Sequence, residues 1–311
     1  MFRISEPARQ QILQYLDSQS DGFSSFVLEK DLVISGILQV VAATPSDSVM
    51  IVFGGGTSLV KARGFMDRLS EDVDLKAVTP IELGRHARRQ ILRSFRTDLI
   101  ADLELAGFSD ISGKSYFEGR FREFTIPYES LFAPVSGIPA SIKLEIWAQE
   151  SLADPTNLPI RSIVASALGE VEIYPSTLPI TALEEMAPQK VIAMLTRFSR
   201  LEAQPKLIRH VYDLWRIRKL EVDTKIMQSI FDYSLLELPT RSKEFSDPYS
   251  AHLALSRNLL QLPASEIMKE AFAQQLTVLA IRPPMFSEVM DAFLKVANPL
   301  VSNSGYHSDF G

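Results

Sequence analysis

The segment Phe53-Gly-Gly-Gly-Thr-Ser-Leu-Val-Lys-Ala-Arg-Gly-Phe-Met-Asp-Arg-Leu-Ser-Glu-Asp-Val-Asp-Leu75 decides the fold. It follows a short β-rich run, SVMIVF (48–53), and three glycines at a strand end let the backbone approach a ligand, with N–H groups free to face phosphate oxygens. Thr57 and Ser58 add hydroxyls at the start of a helix, whose N-terminus favours anions. Asp72 and Asp74 lie two apart on the predicted strand 72–78, so both project from one face. Neighbouring carboxylates repel unless a cation lies between them, and magnesium suits an all-oxygen site that also takes triphosphate. Glu145, in Ile142-Lys-Leu-Glu-Ile146 on another β-rich run, is the candidate third carboxylate of a two-metal site for in-line phosphoryl chemistry. A run of glycines alone is ordinarily a turn, and D-x-D is commonly a solvated face. It is their order, with the hydroxyl pair between, that points to phosphate and metal.

Working outward, apolar spacing predicts helices over 6–17 and 25–43, the latter through Phe26, Leu32, Ile37, Val40 and Val41. A long amphipathic helix is expected over about 81–106, closed by Gly107. YFEGRFREFTI and SIKLEIW read as strands separated by PVSGIPAS, and a loop with Pro155 and Pro159 follows. Beyond Pro179 the pattern turns helical to about residue 297. The expected architecture is α+β: an α+β half over 1–175, a mainly helical half over 176–300, and a polar, mobile tail over 301–311.

The chain has 311 residues, 38 acidic and 32 basic, a net charge of −6 and no cysteine. The length suits about two domains. The missing cysteines exclude a disulfide scaffold, a thiolate metal site and a cysteine nucleophile. The acidic balance excludes a protein basic all over, yet Arg85, Arg89, Arg93 and Arg96 share one helical face that suits a nucleic-acid backbone. A second basic cluster is formed by Arg209, Arg216, Arg218 and Lys219. The four histidines lack ligand spacing, and neither a G-x-S-x-G elbow nor a P-loop occurs. The N-terminus lacks a signal-peptide pattern, and Val33–Ala43 is too short and too interrupted to span a bilayer. A cytoplasmic protein without a membrane partner is expected.

These residues resemble the nucleotidyltransferase β superfamily, and within it the AbiEii/AbiGii toxin family with its MenT-type members. The matching segments are LEKDLVISGIL (28–38), FGGGTSLVKARGFMDRLSEDVDL (53–75), MAPQKVIAMLTR (186–197) and KLIRHVYDLW (206–215). The resemblance implies a bilobed fold, a nucleotidyltransferase-type mixed-sheet lobe followed by a mainly helical lobe, with the active site in the cleft. It implies transfer of a nucleotide from a nucleoside triphosphate to an acceptor hydroxyl, the 3′ end of tRNA in MenT-type members, and a toxin paired with a cognate antitoxin. A protein or small-molecule acceptor, or a non-catalytic antitoxin-binding role, is the alternative.

Residue by residue, the resemblance implies that Gly55, Gly56, Thr57 and Ser58 hold the triphosphate. Asp72 and Asp74 would ligate magnesium, two ions with Glu145 included. Lys190 would reach the phosphates, and Asp213 matches the acidic residue of the helical motif. Many relatives carry Asp where this chain has His210. Lys61 and Arg68, flanking the motif, are candidates to neutralise phosphate.

Overall fold

Alternating apolar residues build a seven-stranded mixed sheet in the first part of the chain. The structure, a computed structural model, describes residues 1–19, 22–46, 48–66, 68–281 and 283–305, the side chains of 277–279 excepted. It divides into two units, Met1–Thr181 and Ala182–Gly311. In the first, the strands are β1 (Met50–Gly54), β2 (Asp72–Val78), β3 (Ser112–Tyr116), β4 (Phe121–Pro127), β5 (Ser141–Trp147), β6 (Thr156–Ile160) and β7 (Ser176–Ile180). Their order is β3-β4-β5-β2-β1-β7-β6. Strands β2 and β5 run parallel, as do β1 and β7, and the remaining pairs are antiparallel. On β5, Ile142, Leu144 and Ile146 are buried and alternate with half-buried Lys143, Glu145 and Trp147. One face of the sheet is therefore apolar core, and the other carries charge.

Helices α1 (Glu6–Ser18), α2 (Ser25–Ala43), α3 (Gly55–Arg63), α4 (Arg85–Leu105) and α5 (Ile163–Leu168) complete this unit. Helix α2 packs against α1, α4, α5, β5 and β7. Its apolar residues are buried almost all round, and so are three consecutive charged ones, Glu29, Lys30 and Asp31. Buried charge is tolerated only when paired or hydrogen-bonded, and each of the three binds a different segment. The Glu29 carboxylate accepts from Ser130 Oγ and, at 2.8 Å, from the Leu131 N–H. Burial raises its pKa, against the pull of those hydrogen bonds. Lys30 Nζ donates to the carbonyls of Pro139 and Ser141, each at 2.8 Å. Asp31 pairs with Lys61 Nζ at 2.8 Å and accepts from the Ile163 N–H at 2.8 Å.

The loop expected around Pro155 and Pro159 is instead the strand β6. A proline lacks an N–H to donate, which an edge strand tolerates, and β6 is the sheet's edge with Pro159 opposite Thr177. Helix α4 starts at Arg85, after Gly84, rather than at residue 81.

The second unit is helical: α6 (Leu183–Thr196), α7 (Ile208–Ile217), α8 (Thr224–Arg241), α9 (Pro248–Gln261), α10 (Glu266–Leu279) and α11 (Phe286–Ser302). Helix α6 packs against α7, α8, α9 and α11, which explains why its apolar residues cover nearly its whole circumference. In the segment expected to be a mobile tail, Val301 and Ser302 close α11 and Ser304 is buried, while residues 306–311 lie outside the described residues. Among the described residues, no helix is long and apolar enough to cross a membrane.

The Asp31–Lys61 pair generates a stability test. Lys61→Met leaves a buried carboxylate uncompensated, which costs about 3–5 kcal/mol and is read as a lower urea midpoint. Adding Asp31→Asn to that variant removes the stranded charge and is expected to restore part of the loss.

Candidate active site

Strand β1 ends at Gly54 and α3 begins at once with Gly55, so the glycine run is the strand-to-helix junction itself. Gly54 caps α3 without a side-chain hydrogen bond. The first N–H groups of a helix have no partner within it and make an anion site. Gly55 and Gly56 are partly exposed, whereas Thr57 and Ser58 are buried.

Two side chains wedge this junction. Gly54 lies opposite Asp74 in the β1–β2 register, and Gly55 has a left-handed φ of +68°. A Cβ on Gly55 would come within 1.8 Å of Asp74 Oδ2, so the Asp74 carboxylate occupies the space glycine leaves. On the other side, a Cβ on Gly54 would meet Thr181 Oγ1 at 2.9 Å. That hydroxyl is buried with no hydrogen-bond partner among the described residues, while the Thr181 N–H donates to the Phe53 carbonyl at 2.9 Å. Thr181 is 127 residues beyond Gly54 in the chain, and only the β1–β7 pairing brings it here.

The two hydroxyls expected at the phosphates are turned to the protein. Thr57 Oγ1 donates to the Asp72 carbonyl and lies 2.8 Å from Ser70 Oγ, tying α3 to the start of β2. Ser58 Oγ donates to the Gly55 carbonyl at 3.0 Å, bracing the turn. Lys61 is buried against Asp31 and donates to Ser35 Oγ at 2.8 Å, so it faces the core rather than the glycine turn. Arg68 is also buried, with Nη1 donating to the Leu69 carbonyl at 2.9 Å.

The carboxylates do share a face. Asp74 pairs with Glu145 across β2 and β5, and Glu145 with Glu123 across β5 and β4, so Asp72, Asp74, Glu145 and Glu123 all project from the charged side. Like charges in adjacent positions destabilise a sheet, and Lys143 offsets this, with Nζ at 2.8 Å from Glu123 and 2.6 Å from Glu145. Partial burial works against the charge on Lys143, but the hydrogen bonds to Glu123 and Glu145 prevail and hold its ammonium above the ordinary lysine range.

Lys143 ties Glu145 to Glu123 on β4, while Asp72, Asp74 and Glu145 share one face of the sheet. Among the described residues, no group of three or more His, Asp or Glu is placed to hold a metal ion. Asp72 and Asp74 beside the glycine cradle nevertheless fit magnesium, which commonly takes one or two carboxylates and completes its shell with phosphate oxygens and water.

In the second unit, Lys190 on α6 and Asp213 on α7 form a buried ion pair, Nζ to Oδ2 2.6 Å. His210 is half-buried on the same helix as Asp213. Arg216, Arg218 and Lys219 gather around the Trp215 ring, their charges 4.4–5.5 Å from its centroid. Reading the motif missed Thr181 and Lys143. The alternation Lys143-Leu-Glu145 was a visible signal for the second, while Thr181 carries none.

The family signature described as nucleotidyl transferase AbiEii toxin, type IV toxin–antitoxin system, matches residues 37–292. This bears out the resemblance read from the glycine turn and the Asp-x-Asp. Among solved structures, the fold is similar to that of MenT4, a nucleotidyltransferase toxin from Mycobacterium tuberculosis H37Rv. That match has a TM-score of 0.60 and 16% identity, and covers 95% of this chain and 89% of that one. None of the curated protein sequences is significantly similar to this one.

Two glycines separate backbone strain from the close approach of Asp74. Gly64 also has a left-handed φ, +76°, but a Cβ there meets nothing within 4 Å. Gly64→Ala is expected to cost only the left-handed backbone, about 1–2 kcal/mol. Gly55→Ala, which must also displace Asp74, is expected to lower the melting temperature further.

Proposed function

The chain belongs to the nucleotidyl transferase AbiEii toxin family of type IV toxin–antitoxin systems, and from that premise we propose that it moves a nucleotide from a nucleoside triphosphate to the 3′-terminal hydroxyl of a tRNA. The observation that carries the reading is the Asp74 carboxylate lying over the φ-positive Gly55, where β1 meets α3.

In this reading the N–H groups at the start of α3 hold the triphosphate, with Gly55 and Gly56 allowing its close approach. Thr57 and Ser58 support the turn through the hydrogen bonds to Asp72 and Gly55. Asp72 and Asp74 would hold magnesium. Glu145 would join them for a second ion once it turns from Lys143. Bound magnesium supplies positive charge to the phosphates and to the leaving pyrophosphate.

The acceptor oxygen attacks the α-phosphorus in line. The new P–O bond forms as the bond from the α-phosphorus to the bridging oxygen breaks, pyrophosphate leaves with the electron pair, and the acceptor's hydroxyl proton passes to water. Fixing triphosphate and hydroxyl in one orientation supplies much of the rate.

Lys190 is proposed to direct its charge to the nucleotide phosphates, with Asp213 fixing its ammonium. Lys61 is instead buried against Asp31 and Ser35. The physiological partner is proposed to be a cognate antitoxin, and the site of action the cytoplasm.

The test is transfer of label from each α-labelled triphosphate to bulk tRNA in magnesium. Asp72→Asn and Asp74→Asn keep the side-chain shape and remove the charge, so each is expected to reduce incorporation to background in a folded protein. Undiminished incorporation by either variant would sink the assignment.

A further inference from the structure

The charged face of the sheet has a second half that the reaction does not use. Beside the row Asp74–Glu145–Glu123 runs a row of rings: Trp147 pairs with Phe121, and Phe121 with Tyr116. Trp147 lies two residues beyond Glu145, so the rings project from the same side as the carboxylates. The Phe121 and Trp147 rings stack at 4.2 Å, Tyr116 stacks on Phe121 at 5.6 Å, and Phe117 meets Trp147 at 5.8 Å.

Burial explains Phe121, which is 9% exposed, but not its neighbours: Tyr116 is 42% exposed and Phe117 59%. Nor is Phe117 held there by an easy backbone. Phe117, Glu118 and Gly119 have consecutive φ values of +49°, +55° and +86°, and a left-handed bulky residue is a costly outlier.

Helix α4 holds this turn. Arg85 pairs with the Glu118 carboxylate, Arg89 donates to the Glu118 carbonyl at 3.4 Å, and Arg96 to the Gly119 carbonyl at 2.8 Å. Arg96 is buried, its Nε and Nη2 without a hydrogen-bond partner among the described residues, and burial, with Arg122 beside it, lowers its pKa to about 10. Arg93, on the same ridge, is exposed.

We propose that Tyr116, Phe117 and Trp147 form a stacking platform for an unpaired nucleobase of the acceptor strand, whose phosphates pass the arginine ridge of α4. This rests on the nucleotidyltransferase reading and adds where the acceptor lies. A nucleic-acid strand supplies a flat π face for the exposed rings and negative charge for the exposed Arg93 on the ridge. Trp147 lies one strand from β2 and Tyr116 three, about 14 Å. The stacked base is therefore not the one bearing the reacting hydroxyl but one further back along the strand. A double helix hides its base faces and is not accepted.

The test is fluorescence anisotropy with a short, end-labelled single-stranded oligoribonucleotide and with its blunt duplex. Phe117→Ala and Tyr116→Ala are expected each to weaken single-strand binding about five- to 150-fold, and Phe117→Trp to retain it. Phe117→Gly removes the ring while relieving the left-handed backbone, so it keeps the test decisive if the alanine variant fails to fold. Single-strand binding by Phe117→Gly as tight as wild type overturns the platform, and so does an equal loss against the duplex. Ring variants that keep RNA affinity but lose the co-expressed antitoxin overturn it in favour of a protein-docking surface. The binding readout needs no turnover. A protein that transfers nucleotides but binds the strand independently of the rings overturns this inference alone, and one that binds through the rings but transfers nothing overturns only the reaction.

Discussion

The ion pair between Asp31 and Lys61 sets the position on which the candidate active site depends. Helix α3 is nine residues long, too short to be stable in isolation, and the glycine junction is its first turn. It is held from behind and from the side. Lys61, six residues along from Gly55, is fixed to α2 through Asp31 and Ser35, and its carbonyl accepts from the Arg161 N–H at 2.9 Å. At the other end Thr57 ties the helix to β2. A buried pair is weak evidence of net stabilisation, because desolvation offsets much of its Coulomb energy. Its contribution here is positional: one carboxylate joins α2, α3 and the start of α5.

That placement has a consequence on the charged face of the sheet. With α3 fixed, the junction is narrow: Thr181 presses on Gly54 and Asp74 on Gly55. No larger residue fits at Gly55 without moving the carboxylate that defines the site. The three neighbouring carboxylates would repel one another if left alone. Lys143 offsets the carboxylates at β4 and β5, and on β2 Asp72 and Asp74 adjoin the start of α3, where the first N–H groups of a helix favour anions. A cation there would meet carboxylates from one side and phosphates from the other.

Much of this was legible in sequence because it is local. The glycine junction, the shared face of Asp72 and Asp74, the strand of Glu145 and helices α1 and α2 all follow from periodicities of two or 3.6 residues. The α+β fold class and the family followed from the same segment. What stayed hidden depends on long-range packing. Lys61 lies within the motif in sequence and suggests a phosphate ligand, but proximity along a helix does not say which side is solvent, and α2 claims Lys61. Glu29, Lys30 and Asp31 are consecutive charged residues on a largely apolar helix, and nothing in their spacing tells that each binds a distant loop or helix end. Strand β6 carries a proline that argues against a strand until its edge position is known.

The arginine ridge shows how a charge pattern changes meaning once its neighbours are in place. Spacing along α4 identified a basic face, and in sequence that face suggested sequence-independent attraction to a nucleic-acid backbone. In the structure Arg85, Arg89 and Arg96 are engaged with the Phe117–Gly119 turn, so part of their hydrogen-bonding capacity is spent on holding rings at the surface. A chain carrying six surplus negative charges has little general affinity for polyanions. Under the proposed reaction, recognition of a nucleic-acid acceptor would come from a few directed contacts, and the proposed stacking on the ring array would supply them without a broad basic coat. The left-handed backbone at Phe117 and Glu118 is the cost of that arrangement, and the three arginines of α4 hold it in place.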